Sequence, residues 1–326
     1  MSGGLGSYSY LAEALAKART RSSWNDRLAH WERPASEHEE TKIQRAATMA
    51  RSVVLNNTWL SNEGVVVEPQ GSYHNNTNVR LEADMDLRAL HPAIYIEYRG
   101  GAAPDQAYRE FGYFDLGRTF AAIASDMRRH LAADLVNRFG AVNVKVGNKA
   151  IKVAGLSGSR ADVDVVPAFK LHWITPSGGA LGGHIRTDGV AILGADNAWT
   201  INFPEQHHAN GKSKRARTKH RFKKVVRMLK RLNYELAETK LLNAKLPSFL
   251  VECLVYQVED EFFLIDEDRY DRLKRILGRL SVLIENTTWH VMATEINGIK
   301  PLLFGQPWTL TQIREFVYVA LMRLDS

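Results

Sequence analysis

The most informative stretch of the chain runs from residue 71 to residue 90 and reads GSYHNNTNVRLEADMDLRAL. Gly71 and Ser72 form a glycine turn, and Asp84 and Asp86 follow on a predicted strand. Alternate residues of a strand point to the same face, so both carboxylates can reach one metal site. Mg²⁺ prefers carboxylate oxygens and commonly binds a phosphate as well, to which a glycine turn offers N–H groups and a hydroxyl. The stretch therefore predicts transfer of a nucleotidyl group from a nucleoside triphosphate.

A second acidic run supplies a third carboxylate. The segment from residue 160 to residue 169 reads RADVDVVPAF, a β-branched run that holds Asp162 and Asp164. Two-metal catalysis of an in-line displacement needs several carboxylates around ions about 3.5–4 Å apart. A third Asp on a neighbouring strand would complete this clamp and could draw the proton from the attacking hydroxyl. Asp162 and Asp164 share a strand face, so alternation alone does not choose between them.

Composition limits the class of protein. The chain has 326 residues, enough for one large or two ordinary domains, and its 45% hydrophobic and 24% charged residues are typical of a soluble globular protein. Net charge is +7 and the sequence pI is about 9.4, which suits a polyanionic ligand such as a nucleotide or nucleic acid. A mildly basic surface without such a partner is the alternative explanation.

Cysteine usage and hydropathy indicate a compartment. Cys253 is the only cysteine, which excludes a disulfide framework or a Cys-rich zinc site within one chain. The N-terminal residues carry no long apolar run, and no run elsewhere is long enough to span a bilayer. We therefore expect a cytoplasmic protein without a signal peptide and without a membrane partner.

Predicted elements divide the chain into two parts. Ser36, followed three residues later by Glu39, predicts the start of a helix that continues to about residue 62. Strands and helices then alternate as far as residue 203, and helices dominate afterwards. This order predicts an α+β fold with a nucleotidyltransferase core and its N-terminal helices over residues 1–203, and a helical lobe over residues 204–326. We expect the active site in the cleft between them.

The most basic segment runs from Lys212 to Arg231 and is predicted to be helical. A solvated helix face is the usual explanation for such a run, and phosphate neutralisation by Arg227 or Lys230 is the functional alternative. Nucleic-acid binding by the same run is also open. The nearby pair His207-His208 has no acidic or Cys partner at a metal-binding spacing, so we expect surface residues.

The acidic motifs resemble a known family. GSYHNNTNV with LEADMDL, followed by DVDVVPAF, is similar to the cGAS/DncV-like nucleotidyltransferases, or CD-NTases, of the DNA polymerase β-like superfamily. By this resemblance Asp84 and Asp86 are the first two metal ligands and Asp164 is the third. Asp162 becomes a neighbour of the site, and whether it shares the metal role stays open.

The resemblance also extends to nucleotide contacts. It places Asn202 where some bacterial members, uridine-using enzymes among them, have a base-selecting asparagine, and it places Lys230 and Ser248 near the donor triphosphate. The full set of implied nucleotide-binding residues is Gln70, Gly71, Ser72, Asn202, Arg227, Lys230 and Ser248.

The activity that this resemblance implies is synthesis of a cyclic di- or trinucleotide second messenger from nucleoside triphosphates, with release of pyrophosphate. Two Mg²⁺ ions, for which Mn²⁺ can substitute, would serve catalysis. The implied setting is bacterial anti-phage signalling, with an activating regulatory protein and a downstream effector that responds to the product, and with no requirement for nucleic acid. The alternative is a nucleotidyltransferase of the same fold that adds NMP to an RNA or protein acceptor.

Overall fold

The computed structural model describes residues 5–79, 85–114, 117–179 and 182–326, with the side chains of residues 5–17 left out. The chain folds into two compact units. The sheet unit comprises Ala35–Asn75 and the described residues of Arg80–Glu205, and the helical unit comprises Asn76–Val79, Gln206–Ser326 and the described residues of Met1–Pro34.

The strands of the sheet unit are β1 (Val66–Gln70), β2 (Met85–Tyr98), β3 (Val144–Val146), β4 (Ile151–Val153), β5 (Val163–Pro176), β6 (His184–Leu193) and β7 (Trp199–Asn202). The helices of the sheet unit are α2 (Glu37–Leu55), α3 (Thr58–Asn62), α4 (Gly71–His74), α5 (Pro104–Phe111) and α6 (Phe120–Phe139). The helices of the helical unit are α1 (Leu5–Trp31), α7 (Pro204–Arg217, which begins in the sheet unit), α8 (Arg221–Glu238), α9 (Ser248–Gln257), α10 (Glu261–Leu264), α11 (Arg269–Leu283), α12 (Thr287–Met292) and α13 (Leu310–Asp325).

One mixed sheet organises the sheet unit. The strand order is β1-β2-β5-β4-β3, and β6 pairs with both β5 and β7. β2 and β5 run parallel, whereas the other pairs formed by these strands are antiparallel. This mixed sheet and the helical region that follows it confirm the predicted α+β class. The predicted strand that carries Asp86 extends to Tyr98 as one long strand, β2, interrupted by a register shift between His91 and Ile94.

Capping residues in the sequence explain where the two long helices beside the sheet begin. Ser36 caps α2 in a capping box with Glu39, as predicted, and the helix ends at Leu55 before the short α3. Thr119 caps α6, whose buried stripe includes Ile123 and Met127. Both helices contact β5, so this face of the sheet is covered and forms the core.

The helical unit has a continuous apolar core that includes residues from both ends of the chain. Trp24 and Leu28 of α1 lie in the same buried cluster as residues of α8, α9, α11 and α13. The sequence-based division placed α1 with the nucleotidyltransferase core, whereas its packing places it with the helices, because its aromatic and leucine side chains are buried among them. The predicted domain boundary between residues 203 and 204 stays a prediction.

The basic segment is two helices rather than one. α7 ends at Arg217 and α8 begins at Arg221, because Lys219 and His220 adopt positive φ angles of 49° and 64°. The expectation of one continuous helix there is therefore wrong. None of the helices in the described ranges is long and apolar enough to cross a membrane.

Candidate active site

A row of four polar side chains crosses the sheet. The strand registers pair Gln70 of β1 with Asp86 of β2, Asp86 with Asp164 of β5, and Asp164 with Lys152 of β4. Neighbouring strands lie about 4.8 Å apart, and paired residues project to the same face. The sheet therefore brings the predicted carboxylates of Asp86 and Asp164 side by side, although 78 positions separate them in the chain.

Alternation explains why this face carries the polar groups. The intervening residues Met85, Leu87 and Ala89 of β2 are fully buried or nearly so on the opposite face, whereas Asp86 remains half-buried. Burial of the apolar set fixes the register, because a shift of one residue would exchange the two faces. The core packing of β2 thus determines which way Asp86 points.

Gly71 contacts the first of these carboxylates. It has a φ angle of +72°, and a Cβ built on it would lie 1.9 Å from Oδ2 of Asp86. Only glycine allows the backbone to approach this carboxylate so closely in this conformation. The turn that the sequence predicted for phosphate binding, with Gln70 before it and Ser72 after it, therefore lies directly against Asp86.

Lys152 is a site residue that the sequence patterns did not identify. Its Nζ lies 3.0 Å from Oδ2 of Asp164, and its side chain is 62% exposed against 22% for the carboxylate. An ion pair of such an exposed lysine contributes little to stability. The alternation of the short strand β4 is visible in the sequence, but its register against β5 is not, so no sequence signal identified this contact.

Asp162 is held differently from Asp164. It precedes β5, and its Oδ1 accepts a 2.7 Å hydrogen bond from the backbone N–H of Gly155. Gly155 itself lies too close to the backbone of residues 160–162 to accept a side chain without a shift, since its Cβ would meet their atoms at 3.0–3.1 Å. Asp162 therefore closes a loop, while Asp164 lies in the polar row.

Asp84 lies outside the described residues, so the predicted set of three carboxylates is described only for Asp86 and Asp164. Among the residues that are described, no group of three or more His, Cys, Asp or Glu side chains is placed to hold a metal ion. The donor chemistry of the row still fits a hard divalent cation, because two carboxylates share one face beside a glycine turn. Asp84, two residues before Asp86, would be the next donor by strand alternation.

Arg88 is a second site residue that the sequence did not reveal. It is the next residue after Asp86 on the same face of β2, and its buried guanidinium pairs with Glu68 at 2.6 Å and Glu205 at 2.8 Å. Glu68 is its register partner on β1. This ion cluster fixes β1 and β2 against each other one pleat away from the carboxylates.

The helical unit holds the predicted Lys230 in a buried network. Its ammonium donates to the carbonyl oxygen of Thr77 at 3.1 Å, to Oγ1 of Thr77 at 3.3 Å and to Oε2 of Glu252 at 3.0 Å. These contacts account for its three donors. The predicted contact of Lys230 with a triphosphate stays a prediction.

Arg227 lies one helical turn earlier and has a related role. Its Nε donates to the carbonyl oxygen of Glu32 at 2.7 Å, and its Nη1 donates to that of Asn76 at 2.8 Å. Burial lowers the pKa of Arg227 to about 10. Arg227 and Lys230 thus both tie the short segment Asn76–Val79 to α8, a few residues before the acidic strand.

Glu252 carries the negative charge of this network. Burial by itself would raise its pKa, but the ammonium of Lys230 and hydrogen bonds from His207 and Thr77 hold the pKa of Glu252 well below its usual range. His207 is buried and lies 3.2 Å from Oε1 of Glu252. The expectation that His207 is a surface residue is therefore wrong, because its acidic partner is distant in sequence.

The two remaining predicted nucleotide contacts, Asn202 and Ser248, lie on different elements. Asn202 ends β7 and pairs in register with Val190, which pairs with Lys170 of β5. Asn202 therefore lies on the same face of the sheet as Asp164. Lys170, which is in line with Asn202, is six residues along β5 from Asp164, a distance of about 20 Å. Ser248 is the first residue of α9 and is half-buried. Base selection by Asn202 and triphosphate binding by Ser248 stay predictions.

Known proteins are similar to this chain over most of its length. Residues 209–324 match the family model of the cGAS/DncV-like nucleotidyltransferase C-terminal helical domain. The chain is 35% identical over 304 residues to the cyclic dipyrimidine nucleotide synthase CdnE of Legionella pneumophila, covering 91% of this chain and 96% of that protein. It is 31% identical over 239 residues to a cyclic dipurine nucleotide synthase of Elizabethkingia meningoseptica, covering 73% and 77% of the two chains.

A solved structure is similar over almost the whole chain. The CdnE cyclic dinucleotide synthase of Elizabethkingia meningoseptica, solved with GTP and Apcpp, has a TM-score of 0.71 and 29% sequence identity. The match covers 92% of this chain and 98% of that one.

Proposed function

The chain belongs to the cGAS/DncV-like nucleotidyltransferase family, and we propose that it joins nucleoside triphosphates into a cyclic di- or trinucleotide. The observation that carries the proposal is the register of β2 and β5, which sets Asp86 beside Asp164 with Gly71 against the first carboxylate. A protein that only binds nucleotides has no need of two carboxylates at the same point of a sheet.

Members of this family use divalent metal ions, and the residues that would hold them are Asp86 and Asp164, with Asp84 as the third donor. We propose two Mg²⁺ ions, for which Mn²⁺ can substitute. When bound, such ions lower the pKa of an attacking hydroxyl and neutralise charge on the triphosphate.

The chain's own groups then act on the substrates. The acceptor hydroxyl oxygen forms a bond with the α-phosphorus of the donor triphosphate. The bond from the α-phosphorus to the oxygen that bridges it to the β-phosphorus breaks, and pyrophosphate leaves. Asp164 accepts the hydroxyl proton. Gly71 allows the turn to approach the triphosphate beside Asp86, where its backbone N–H and the Ser72 hydroxyl hold phosphate oxygens. A second transfer within the linear product closes the ring.

The bases used by the chain are a finer part of the proposal. The Legionella relative is named a dipyrimidine synthase and the Elizabethkingia relative a dipurine synthase, so base choice varies among similar chains. We propose that a pyrimidine triphosphate is among the substrates here, because the relative with that name is matched at higher identity and over more of the chain. Asn202 is the proposed base-selecting residue, since a site that hydrogen-bonds a base edge rejects mismatches strongly.

The biological setting is proposed on the same basis. Cyclic nucleotide products would act as second messengers in bacterial anti-phage defence, under control of an activating regulatory protein and read by a downstream effector. The activity itself would take place in the cytoplasm and would not require nucleic acid.

A direct experiment separates this function from transfer to a macromolecule. The purified chain is incubated with α-³²P-labelled nucleoside triphosphates and Mg²⁺, without added polymer, and the products are treated with phosphatase. Cyclic synthesis predicts a small labelled product that resists phosphatase. Label found only on added RNA or on protein would instead assign the alternative function, addition of NMP to a macromolecular acceptor. Reactions that each omit one triphosphate then identify the bases.

A further inference from the structure

A cavity of about 1020 Å³ lies within the sheet unit, away from the carboxylate row. Its lining includes the bulged part of β2 from His91 to Ile96. His91, the residue of this part nearest the carboxylates, pairs with Phe169 of β5, five residues beyond Asp164, so about 17 Å of strand separates the cavity from the carboxylates. The cavity is therefore a separate site on the same strands.

The backbone of β2 is reshaped at this cavity. The register with β5 shifts between His91 and Ile94, and Nδ1 of His91 accepts the backbone N–H of Ala93 at 3.0 Å. Because Nδ1 accepts, the donor of this ring is Nε2, which lies 3.0 Å from Oε2 of Glu63. Bulges commonly redirect side chains beside functional sites, and this one turns His91 toward Glu63 at the wall of the cavity.

Aromatic rings form much of the wall. Tyr95 lines the cavity and stacks on Trp199 with ring centroids 4.0 Å apart. Phe111 and Tyr113 also line the cavity, with their ring centroids 5.9 Å apart. Phe114 also lines the cavity and is 77% exposed. A single exposed phenylalanine needs no explanation, but several rings around one cavity form a platform suited to a flat apolar ligand.

One hydrogen-bonded pair of this wall, Tyr113 and His172, is uncharged at neutral pH. The hydroxyl of Tyr113 lies 2.7 Å from Nδ1 of His172. Burial raises the pKa of Tyr113 to about 12 and lowers the pKa of His172 below its usual value. The pair can therefore hydrogen-bond a polar atom of a ligand without adding charge to the cavity.

Charged side chains also line the cavity. Two guanidinium groups, Arg118 and Arg186, line the cavity against one carboxylate, Glu63, which pairs with Arg118 at 2.8 Å. Arg186 lies over the ring of Phe111, and its Nε is 3.0 Å from Asp188. The side chain of Arg186 is 42% exposed, so its guanidinium is accessible. A guanidinium fork of this kind is suited to an anionic oxygen.

We propose that this cavity binds a small planar aromatic molecule that carries an anionic group. The rings of Tyr95, Phe111 and Tyr113 hold the flat part, and the Nη groups of Arg186 hold the anion. The volume is that of a typical small-molecule site. Two sources share this chemistry, a nucleoside monophosphate and an aromatic carboxylic acid. The proposal does not depend on the catalytic function proposed above.

The test uses 8-anilinonaphthalene-1-sulfonate, a planar aromatic anion whose fluorescence rises on binding, with EDTA present to suppress nucleotide binding at the carboxylates. We expect one saturable site per chain. Arg186→Gln should weaken binding about tenfold or more through loss of a charge-assisted hydrogen bond. Arg314→Gln, which removes an exposed arginine of α13 paired with Glu285, is the matched control and should leave the Kd unchanged.

A second variant and two competition experiments complete the test. Tyr113→Phe removes only the hydroxyl and tests the wall if Arg186→Gln does not fold, which circular dichroism would reveal. Displacement of the dye by AMP assigns the nucleotide source, and displacement by 2-naphthoate assigns the aromatic acid. A Kd unchanged by the folded Arg186→Gln or, in its place, by Tyr113→Phe would overturn the proposal, as would failure of both AMP and 2-naphthoate to displace the dye.

Discussion

Replacing Gly71 by alanine should inactivate the enzyme while leaving it folded. The added Cβ would lie 1.9 Å from Oδ2 and 2.7 Å from Cγ of Asp86, whereas ordinary contact begins near 3.4 Å. The carboxylate would have to move by about 1.5 Å, or the turn would have to move away from it. Either response separates two groups that the proposed reaction needs together.

Two contributions to this effect can be separated. An L-residue at a φ of +72° costs roughly 1–2 kcal/mol of folding free energy. Displacement of a catalytic group by 1 Å can lower a rate about 100-fold, which corresponds to about 2.7 kcal/mol of transition-state stabilisation. We therefore expect a modest loss of stability and a fall of at least about 100-fold in kcat/KM.

Gly101 provides the matched control. Its φ is +79°, and a Cβ built there meets no atom within 4 Å. Gly101→Ala therefore carries the same backbone strain without the clash. Urea denaturation should show similar destabilisation of the two variants, and pyrophosphate release should fall only in Gly71→Ala. Near wild-type activity of Gly71→Ala, or an equal loss in both variants, would refute the reasoning.

Three further predictions follow from the site and its support. Asp164→Asn should abolish pyrophosphate release and weaken Mn²⁺ binding measured by calorimetry, with an unchanged circular dichroism spectrum; retained activity would contradict its role. Lys152→Met should tighten Mn²⁺ binding several-fold because the ammonium competes for Asp164, whereas Lys145→Met on the neighbouring strand should not; equal affinities in both variants would exclude this competition. Glu252→Gln should lower the free energy of unfolding by about 3–5 kcal/mol at pH 7, because it leaves the buried Lys230 unpaired. Since the pKa of Glu252 is lowered by folding, its stabilisation is complete above the ordinary value of 4.5 and declines as the pH falls below it. The gap between wild type and variant in urea denaturation should therefore narrow from pH 7 to about pH 3.5, and a constant gap would contradict the assignment.

Sequence patterns identified the groups whose positions depend on local alternation. Asp86 and Asp164 each lie within a run of apolar residues with a period of two, so the faces that they occupy follow from the residues themselves. Gly71 was identified as a turn, although its contact with Asp86 required the pairing of β1 with β2. Lys152 required the register of a three-residue strand, which no sequence pattern specifies.

Features that depend on distant partners were not predictable. His207 is buried because Glu252, 45 residues away, accepts its hydrogen bond. The helix break at Lys219 and His220 has neither the Gly nor the Pro that usually marks one. The cavity beside Tyr95 combines residues from six separate segments, so composition and periodicity gave no sign of it.

Mass spectrometry of the product formed from all four nucleoside triphosphates and Mg²⁺ determines whether the chain makes a cyclic nucleotide, with Asp86→Asn as the inactive reference. Cyclisation predicts phosphatase-resistant ions whose mass equals two or three nucleoside monophosphates less one water for each linkage, formed by the wild type and absent from the variant. Products that keep a terminal triphosphate, or cyclic ions formed equally well by Asp86→Asn, would contradict synthesis at this pair of strands.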